Sequence, residues 1–240
     1  MATVAFVIHA ERPDAVALAE EASAWLGDRG HEVRLPEGED GAAPLEGADL
    51  AVSLGGDGTM LRTAGLVHSL GVPVLGVNLG HLGYLTSIER DGLCDALARF
   101  LKGDYTLQER MTLEVTFRPG EGGGRREGET SVAFNEAVVE KVAPGHTTRL
   151  ALSIAGRPFI TYAADGLIVA TPTGSTAYNL SSRGPIASPR LWALIVTPVS
   201  PHMLFDRSLI LEPGEEATVE VVDGRPAILV VDGVETVDLV

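Results

Sequence analysis

The chain has 240 residues, of which 45% are hydrophobic and 21% charged, a composition that indicates a globular protein and excludes wholesale disorder. Its 18 Lys and Arg against 33 Asp and Glu give a net charge of −15, so the dense basic face that grips a nucleic acid is not expected. The single cysteine, Cys94, excludes a disulfide within one chain and a Cys-rich zinc site.

The first apolar run, residues 4–8, does not resemble a secretory signal, because it is short and no basic residue precedes it. No apolar run reaches the roughly 20 residues that a bilayer crossing needs. We therefore expect a soluble, cytoplasmic protein that has neither a membrane nor a nucleic acid as its partner.

The first part of the chain alternates β-rich runs with helical patterns, which predicts βαβ units and a parallel sheet. The predicted strands are residues 4–8, 32–35, 50–54 and 72–77. The predicted helices are residues 14–26, 60–70 and 91–101, the last with Gly103 as its C-terminal cap. A stretch rich in glycine, proline and acidic residues predicts a loop over residues 38–47.

From about residue 110 the pattern changes to alternation of apolar and polar residues, which predicts antiparallel strands. A glycine-rich segment, residues 120–128, predicts a hairpin tip that buries little. The expected architecture is an α/β domain with a Rossmann-like parallel sheet over residues 1–110, followed by an all-β, antiparallel, sandwich-like domain over residues 111–240. We expect the substrate cleft between these domains, and an extreme C-terminus able to pack back on the first.

The strongest local motif is Gly55-Gly56-Asp57-Gly58-Thr59, at a predicted strand-to-helix junction. Glycines allow close approach to a ligand, and the N–H groups and dipole of a helix N-terminus attract an anion such as phosphate. Asp57 would repel that anion, but it has a purpose if it accepts the proton of an attacking hydroxyl. Phosphoryl transfer is therefore the predicted chemistry. The structural alternative is a tight turn in which Asp57 caps the helix.

A second motif runs from Asp165 to Ser181 and contains an apolar run, residues 167–170, that predicts a buried strand. The turn after it, residues 172–176, is rich in hydroxyl and N–H groups that can bind ribose and phosphate, while Tyr178 can stack on a base. The structural alternative is an ordinary Ser/Thr-capped loop before a short helix.

A third feature is Asn135-Glu136, inside an otherwise apolar β stretch over residues 132–139. One continuous strand would put the amide and the carboxylate on opposite faces, unless a bulge brings them together. Buried polar groups need partners, which a sugar diol or an adenine edge could supply. A turn at a strand end is the simpler explanation.

Five motifs in this order resemble those of the NAD kinase family, which phosphorylates the 2′-hydroxyl of the adenosine ribose of NAD with ATP or polyphosphate. They are residues 55–59, 78–85, 135–136, 165–181 and 197–202. Three positions depart from the family pattern: Tyr84 stands where Phe is usual, Val234 where many members have Gln, and Ala163 where some have a charged residue.

The resemblance implies transfer of the γ-phosphoryl group of ATP to NAD to form NADP, with Asp57 as the proton acceptor. It implies Mg²⁺ carried on the nucleotide rather than at a separate protein metal site, and a homodimer or homotetramer. The residues implied in substrate and nucleotide binding are Gly55, Gly56, Gly58, Thr59, Arg62, Asn135, Glu136, His146, Asp165, Thr173, Gly174, Ser175, Thr176, Ala177, Tyr178, Asn179, Leu180 and Ser181.

Two other functions fit part of the sequence. Lipid and sphingoid-base kinases share the Gly-Gly-Asp-Gly-Thr core, but the chain is acidic and has no basic amphipathic helix for a membrane surface. A non-catalytic dinucleotide sensor would gain little from a carboxylate that faces phosphates. The negative charge itself is concentrated at the ends, because residues 1–50 carry 3 basic and 11 acidic side chains and residues 212–240 carry 1 and 8.

Overall fold

The computed structural model describes residues 1–8, 12–35, 42–80, 83–118 and 130–239, with the backbone alone at residues 235–237. Outside the described residues lie the first part of the predicted loop 38–47, the whole of the predicted hairpin tip 120–128, and His81 and Leu82 of the second family motif. The chain divides into two units, Met1–Leu107 and Gln108–Val240.

The first unit is built on a parallel sheet of five strands in the order β2-β1-β3-β4-β5. Its described elements in chain order are β1 (Thr3–Ile8), α1 (Pro13–Gly27), β2 (Glu32–Arg34), β3 (Leu50–Gly55), α2 (Asp57–Val67), β4 (Val74–Asn78), β5 (Ile88–Glu89) and α3 (Leu93–Leu101).

Alternate strand residues of the first unit enter two cores, one on each face of the sheet. Val4 and Phe6 of β1 pack with Ala22 of α1 and Leu97 of α3, whereas Ala5 and its neighbours pack with the end of α2. Because a parallel strand is covered by helices on both faces, all six residues of β3 are buried. The predicted doubly covered parallel sheet is confirmed.

Helix α2 begins three residues earlier than predicted, so that Asp57, Gly58 and Thr59 form its first turn instead of a loop before it. Gly56 is the N-cap, and the N–H of Met60 donates to the Gly56 carbonyl at 3.1 Å. The helix also ends three residues early. Gly71, with φ of +66°, donates its N–H to the Val67 carbonyl and turns the chain out of the helix.

The second unit is antiparallel throughout its described sheets. Its elements are β6 (Leu113–Thr116), β7 (Thr130–Ala133), β8 (Glu136–Lys141), β9 (Thr148–Ile154), β10 (Arg157–Ala164), β11 (Gly166–Ala170), α4 (Tyr178–Ser181), β12 (Leu194–Val199), β13 (Leu209–Leu211), β14 (Ala217–Val221), β15 (Ala227–Val231) and β16 (Val234–Leu239).

A six-stranded sheet, β13-β12-β11-β8-β15-β16, and a three-stranded sheet, β10-β9-β14, enclose the main core of this unit. Leu152 of β9, Tyr162 of β10 and Leu167 of β11 lie in that core with less than 2% of their surface exposed. The opposite face of the six-stranded sheet carries a smaller cluster around Ile168, against which Tyr178 packs. The predicted sandwich-like β domain is confirmed.

Among the alternatives for residues 132–139, the structure has a turn at a strand end and not one continuous strand. Strand β7 ends at Ala133 and pairs with β6, β8 begins at Glu136 in the six-stranded sheet, and the chain bends at Phe134-Asn135 between them. The bend is stable because its N–H groups find a buried acceptor outside the sheets, as described below. No helix among the described residues is long and apolar enough to cross a membrane.

Candidate active site

Asp57 is anchored at the first turn of α2 by backbone hydrogen bonds. Its carboxylate accepts the N–H of Tyr84 at 3.0 Å and the N–H of Leu85 at 3.1 Å. These donors lie beyond β4, so two neighbouring strands of the parallel sheet deliver the partners of this contact at their carboxyl ends. The side chain is only half-buried, so a carboxylate fixed in direction remains accessible to a substrate.

Two glycines allow this close packing. A Cβ at Gly83 would lie 2.9 Å from the Asp57 carboxyl carbon, and a Cβ at Gly55 would lie 2.7 Å from the Thr59 Cβ. Real side chains do not tolerate such distances, so the strand and the following segment approach the helix N-terminus only because these positions lack a side chain. Arg62, one turn after Gly58 on α2, is exposed.

Arg12 is a residue at this edge of the sheet that the sequence analysis missed. Its guanidinium pairs with Asp14 at 2.6 Å and also donates to the Leu79 carbonyl. Asn78 holds the same segment, because its side-chain oxygen accepts the Gly80 N–H at 3.1 Å. An Arg-Pro pair before a helix carries no signal for a contact with a segment 67 residues away.

The Asn135-Glu136 motif sits in the bend between β7 and β8, and one carboxylate holds it. Asp232 accepts the N–H groups of Phe134 and Asn135 at 2.7 Å each and that of Glu136 at 3.1 Å. Thr171 supports the other side of the bend, because its hydroxyl donates to the Phe134 carbonyl at 2.7 Å. These hydrogen bonds therefore hold the backbone of the bend in place before a ligand binds.

The bend also touches the second predicted motif. A Cβ at Gly174 would lie 2.5 Å from the Asn135 carbonyl carbon, so only glycine allows this approach. The N–H of Thr171 donates to the Asn135 carbonyl at 2.8 Å. The structure thus brings together the Asn135-Glu136 bend and the turn after β11, two segments that lie nearly 40 residues apart in the sequence.

Glu136 is a buried carboxyl group without a full set of partners. It is 7% exposed, and its Oε2 atom has no hydrogen-bond partner. Burial, and after it the negative charge of Asp232, raise the pKa of Glu136 to about 7, against the opposing effect of a hydrogen bond from the Tyr178 N–H. An unsatisfied acceptor of this kind suits a ligand that brings hydroxyl or amino donors.

Tyr178 lies half-buried beside three carboxyl groups. Burial raises the pKa of its phenol, and the charges of Glu140, Asp165 and Glu136 act in the same direction. Asp165 is itself paired with Lys141 at 2.6 Å. The predicted residues Glu136, Asp165 and Tyr178 therefore form one neighbourhood on the six-stranded sheet.

Other predicted residues of the second motif face the protein rather than a ligand. Asn179 is fully buried, donates to the Ser175 and Pro185 carbonyls, and accepts the Thr197 hydroxyl at 2.7 Å. The Ser175 hydroxyl is bonded to Ala187. These side chains shape the turn, whereas Thr176, Ala177, Leu180 and Ser181 are at least partly exposed.

His146 lies apart from this neighbourhood in the loop between β8 and β9. It is exposed and lines a cavity of about 250 Å³ with six other residues. These are Lys141, Ala143, Thr147, Thr148, Arg225 and Pro226. Lys141, through its pair with Asp165, connects this cavity to the residues around Tyr178.

The described residues contain no group of three or more His, Cys, Asp or Glu side chains that could hold a metal ion. Three carboxylates of the site are already engaged, Asp57 and Asp232 with backbone N–H groups and Asp165 with Lys141.

Comparison with known proteins agrees with this arrangement over both units. Residues 42–105 match the family model of the ATP-NAD kinase N-terminal domain, and residues 134–240 match that of the C-terminal domain. An NAD kinase of Heliobacterium modesticaldum is 40% identical over 245 residues, which cover 97% of this chain and 85% of that protein. The chain belongs to the NAD kinase family.

Further relatives and solved structures support membership of the NAD kinase family. An NAD kinase of Syntrophotalea carbinolica is 43% identical over 83% of this chain and 72% of its own length. The crystal structure of an NAD kinase from Archaeoglobus fulgidus in complex with ATP has a TM-score of 0.78 and 25% identity, and covers 99% of this chain and 86% of that one. Nothing in these comparisons favours a lipid kinase.

The fold also resembles the yeast NADH kinase complexed with NADH, with a TM-score of 0.85 at 24% identity and coverage of 100% of this chain and 77% of that one. Among the positions that depart from the NAD kinase pattern, Tyr84 and Val234 are exposed at 71% and 68%. Their side chains are therefore not part of either core.

Asp232 is a further residue of the candidate site whose contacts could not be predicted from the sequence. Asp-Gly between two apolar runs predicts a hairpin turn, which the structure has, but nothing local predicts hydrogen bonds to residues 96 to 98 positions earlier.

Proposed function

We propose that this protein transfers the γ-phosphoryl group of ATP, or a phosphoryl group of polyphosphate, to the 2′-hydroxyl of the adenosine ribose of NAD, forming NADP. The observation that carries the proposal is Asp57, a half-buried carboxylate fixed by two backbone N–H groups at a helix N-terminus. Membership of the NAD kinase family supports the same reaction.

Asp57 acts as the general base in the proposed reaction. A ribose hydroxyl is a weak nucleophile, so a carboxylate within hydrogen-bond reach assists by accepting its proton as the new oxygen–phosphorus bond forms. The bond from the γ-phosphorus to the bridging oxygen breaks, and ADP leaves with the electron pair. The Tyr84 and Leu85 N–H groups keep the carboxylate directed without protonating it.

The donor phosphates are proposed to bind at the first turn of α2. The first N–H groups of a helix have no intrahelical acceptor, and Gly58 and Thr59 present theirs beside Asp57. Arg62 supplies positive charge one turn further along the helix. Mg²⁺ held by the donor phosphates would neutralise their charge, and no described protein cluster is required to hold it.

NAD is proposed to bind at the neighbourhood of Glu136, Asp165 and Tyr178. The buried Glu136 carboxyl accepts donors of the ribose or adenine, Asn135 offers a side-chain amide beside it, and Tyr178 offers a ring face. Residues 173–181 line the same region, within which Ser175 and Asn179 contribute shape rather than direct contacts. His146 and its cavity extend the proposed NAD surface.

The test is formation of NADP⁺ from NAD⁺ with Mg²⁺ and either ATP or polyphosphate. Asp57→Asn should lower kcat by about 10²–10⁴-fold, the usual contribution of a general base, and leave the Kd for NAD nearly unchanged. Asp95→Asn, the same change in the first turn of α3, is the matched control and should retain full turnover. A wild-type protein that forms no NADP⁺ with either donor refutes the proposal.

We further propose that the protein works in the cytoplasm as a homodimer or homotetramer, as the family resemblance implies. Light scattering coupled to gel filtration gives the mass of the assembly directly. A species with the mass of one chain at micromolar concentration, with undiminished activity, contradicts this part of the proposal.

A further inference from the structure

We propose that Asp232 is a positioning residue for NAD binding, which holds the Asn135-Glu136 bend in place and sets a fixed negative charge beside the Glu136 carboxyl group. This inference rests on the proposed function, because it concerns how the same NAD site is built. Asp232 is not proposed to touch the ligand, and it acts through the position of the bend and through its charge on Glu136.

Hydrogen bonds run in both directions between Asp232 and the bend. One Asp232 oxygen accepts the Phe134 N–H, and the other accepts the Asn135 and Glu136 N–H groups. In return, the Asp232 N–H donates to the Glu136 carbonyl at 3.0 Å. Four hydrogen bonds between two short segments fix both the place and the orientation of the bend. Bonds to a charged acceptor are the stronger kind.

The contact of Asp232 with the bend is separate from its part in the turn between β15 and β16. Asp232 and Gly233 connect β15 to β16 with φ angles of +47° and +79°, the combination of a two-residue hairpin turn that Asp-Gly and Asn-Gly both favour. Asparagine at residue 232 would therefore form the same turn. It would lack the charge, and its amide nitrogen could not accept any of the three N–H groups.

The charge of Asp232 also acts on the Glu136 carboxyl group. The negative charge of Asp232 raises the pKa of Glu136 in the same direction as burial, to about 7. The other charged or titratable groups around the site are Tyr178 of α4, Glu140 of β8, and Asp165 before β11, which is paired with Lys141. Of the carboxylates around the site, Asp232 is the one whose charge raises the pKa of Glu136.

The protonation of Glu136 sets the direction in which pH should change NAD binding. Below about pH 7 the Glu136 carboxyl is protonated and loses part of its capacity to accept hydrogen bonds, so NAD binding should weaken as the pH falls. Removing the charge of Asp232 lowers the pKa of Glu136, so the midpoint of this change should move to lower pH. A residue that only stabilises the turn would leave that midpoint in place.

The experiment measures the Kd of NAD by titration calorimetry between pH 5.5 and 8.5, with full-length protein and its Asp232→Asn variant. We expect the variant to bind about 10-fold more weakly at pH 8, the order for leaving a buried donor without its acceptor, and to have its pH midpoint shifted downward. In steady-state assays KM for NAD should rise while kcat is retained, because Asp57 is unaltered.

Asp49→Asn is the matched control. Asp49 also accepts a backbone N–H group, that of Thr3 at 2.8 Å, but it precedes β3 in the first unit and does not contact the bend. Its substitution should leave both the midpoint and KM unchanged. Glu136→Gln should remove the pH dependence near pH 7 altogether, because the titrating group is gone.

Unaltered Kd and midpoint in Asp232→Asn overturn the inference, and so does a uniform loss of affinity without a midpoint shift. If that variant does not fold, Asp232→Glu keeps the charge but displaces it by one methylene. It should bind NAD more weakly with the midpoint retained, and unchanged affinity would again overturn the inference. A wild-type protein that neither binds NAD nor forms NADP⁺ refutes the proposed function instead.

Discussion

Tyr162 carries a polar atom in the middle of an apolar core. Its side chain is fully buried between the sheets of the second unit, and its hydroxyl has no hydrogen-bond partner. An unpaired buried hydroxyl lowers stability, because the unfolded chain offers it water. Burial accordingly raises the pKa of Tyr162 to about 12.

Tyr162→Phe should therefore raise the free energy of unfolding by about 1 kcal/mol at pH 7. The wild type should also lose stability between pH 10 and about pH 12, where the unfolded tyrosine ionises and the folded one does not, and the variant should lose less. Urea unfolding measures both. Tyr105→Phe, at an exposed position, is the control, and a less stable Tyr162→Phe would mean that the hydroxyl has a partner.

Residues whose chemistry is local could be predicted, and residues whose partners are remote could not. The glycines around Asp57 and the turn in the motif that begins at Asp165 could be recognised in the sequence, because their function depends on backbone groups next to them. Gly83 and Asp232 have ordinary sequence surroundings. Their roles arise from contacts at 26 and about 97 positions of separation, and a single sequence holds no record of such contacts.

Helix α4 is an element that cannot be stable by itself. It has four residues, too few for a helix to persist in water. Asn179 ties it to the Ser175 turn, to the Pro185 segment and to Thr197 of β12 through three hydrogen bonds. The turn that carries the proposed NAD residues therefore depends on this one amide.

Asn179→Ala should lower the free energy of unfolding by about 2–3 kcal/mol, because it leaves buried carbonyl groups without donors. It should also raise KM for NAD, since the turn loses its attachment. Ser181→Ala, at an exposed position on the same helix, should change stability by less than about 0.5 kcal/mol. Equal effects of the two substitutions in thermal unfolding would contradict the anchoring role of Asn179.

For helices and strands, the hydrophobic periodicity of the sequence predicted the observed bounds well where a segment is buried along its whole length. The strands at residues 50–54 and 167–170 and the helix at residues 14–26 are present close to their predicted bounds. The errors occur where backbone N–H groups are satisfied outside the local ladder. Helix α2 takes the Gly-Asp-Gly residues into its first turn, and the apolar stretch over residues 132–139 bends because Asp232 replaces a sheet partner.

For the whole molecule, the change of pattern near residue 110 distinguished an α/β part from an antiparallel part, because parallel and antiparallel sheets bury their strands differently. The acidic ends of the chain contribute most of the net charge of −15. A net charge of this size opposes non-specific aggregation at neutral pH.

Solubility should therefore fall to a minimum at roughly pH 4–5, where enough carboxyl groups are protonated to bring the net charge near zero. Turbidity measured across pH 3.5–8 tests this expectation, with 0.5 M NaCl as a comparison because salt screens the repulsion. Full solubility at pH 4.5 in low salt would show that net charge does not govern the precipitation of this protein.

The hydrogen bonds of Asp232 also set an order of events during synthesis. The ribosome makes Asn135 and Glu136 nearly 100 residues before Asp232, a delay of roughly 5–20 s at ordinary elongation rates. Until then, three backbone N–H groups of the bend lack their acceptor. A nascent chain therefore cannot present the proposed NAD site in its final form, and NAD cannot stabilise that site, until the hairpin of β15 and β16 has been translated and has docked.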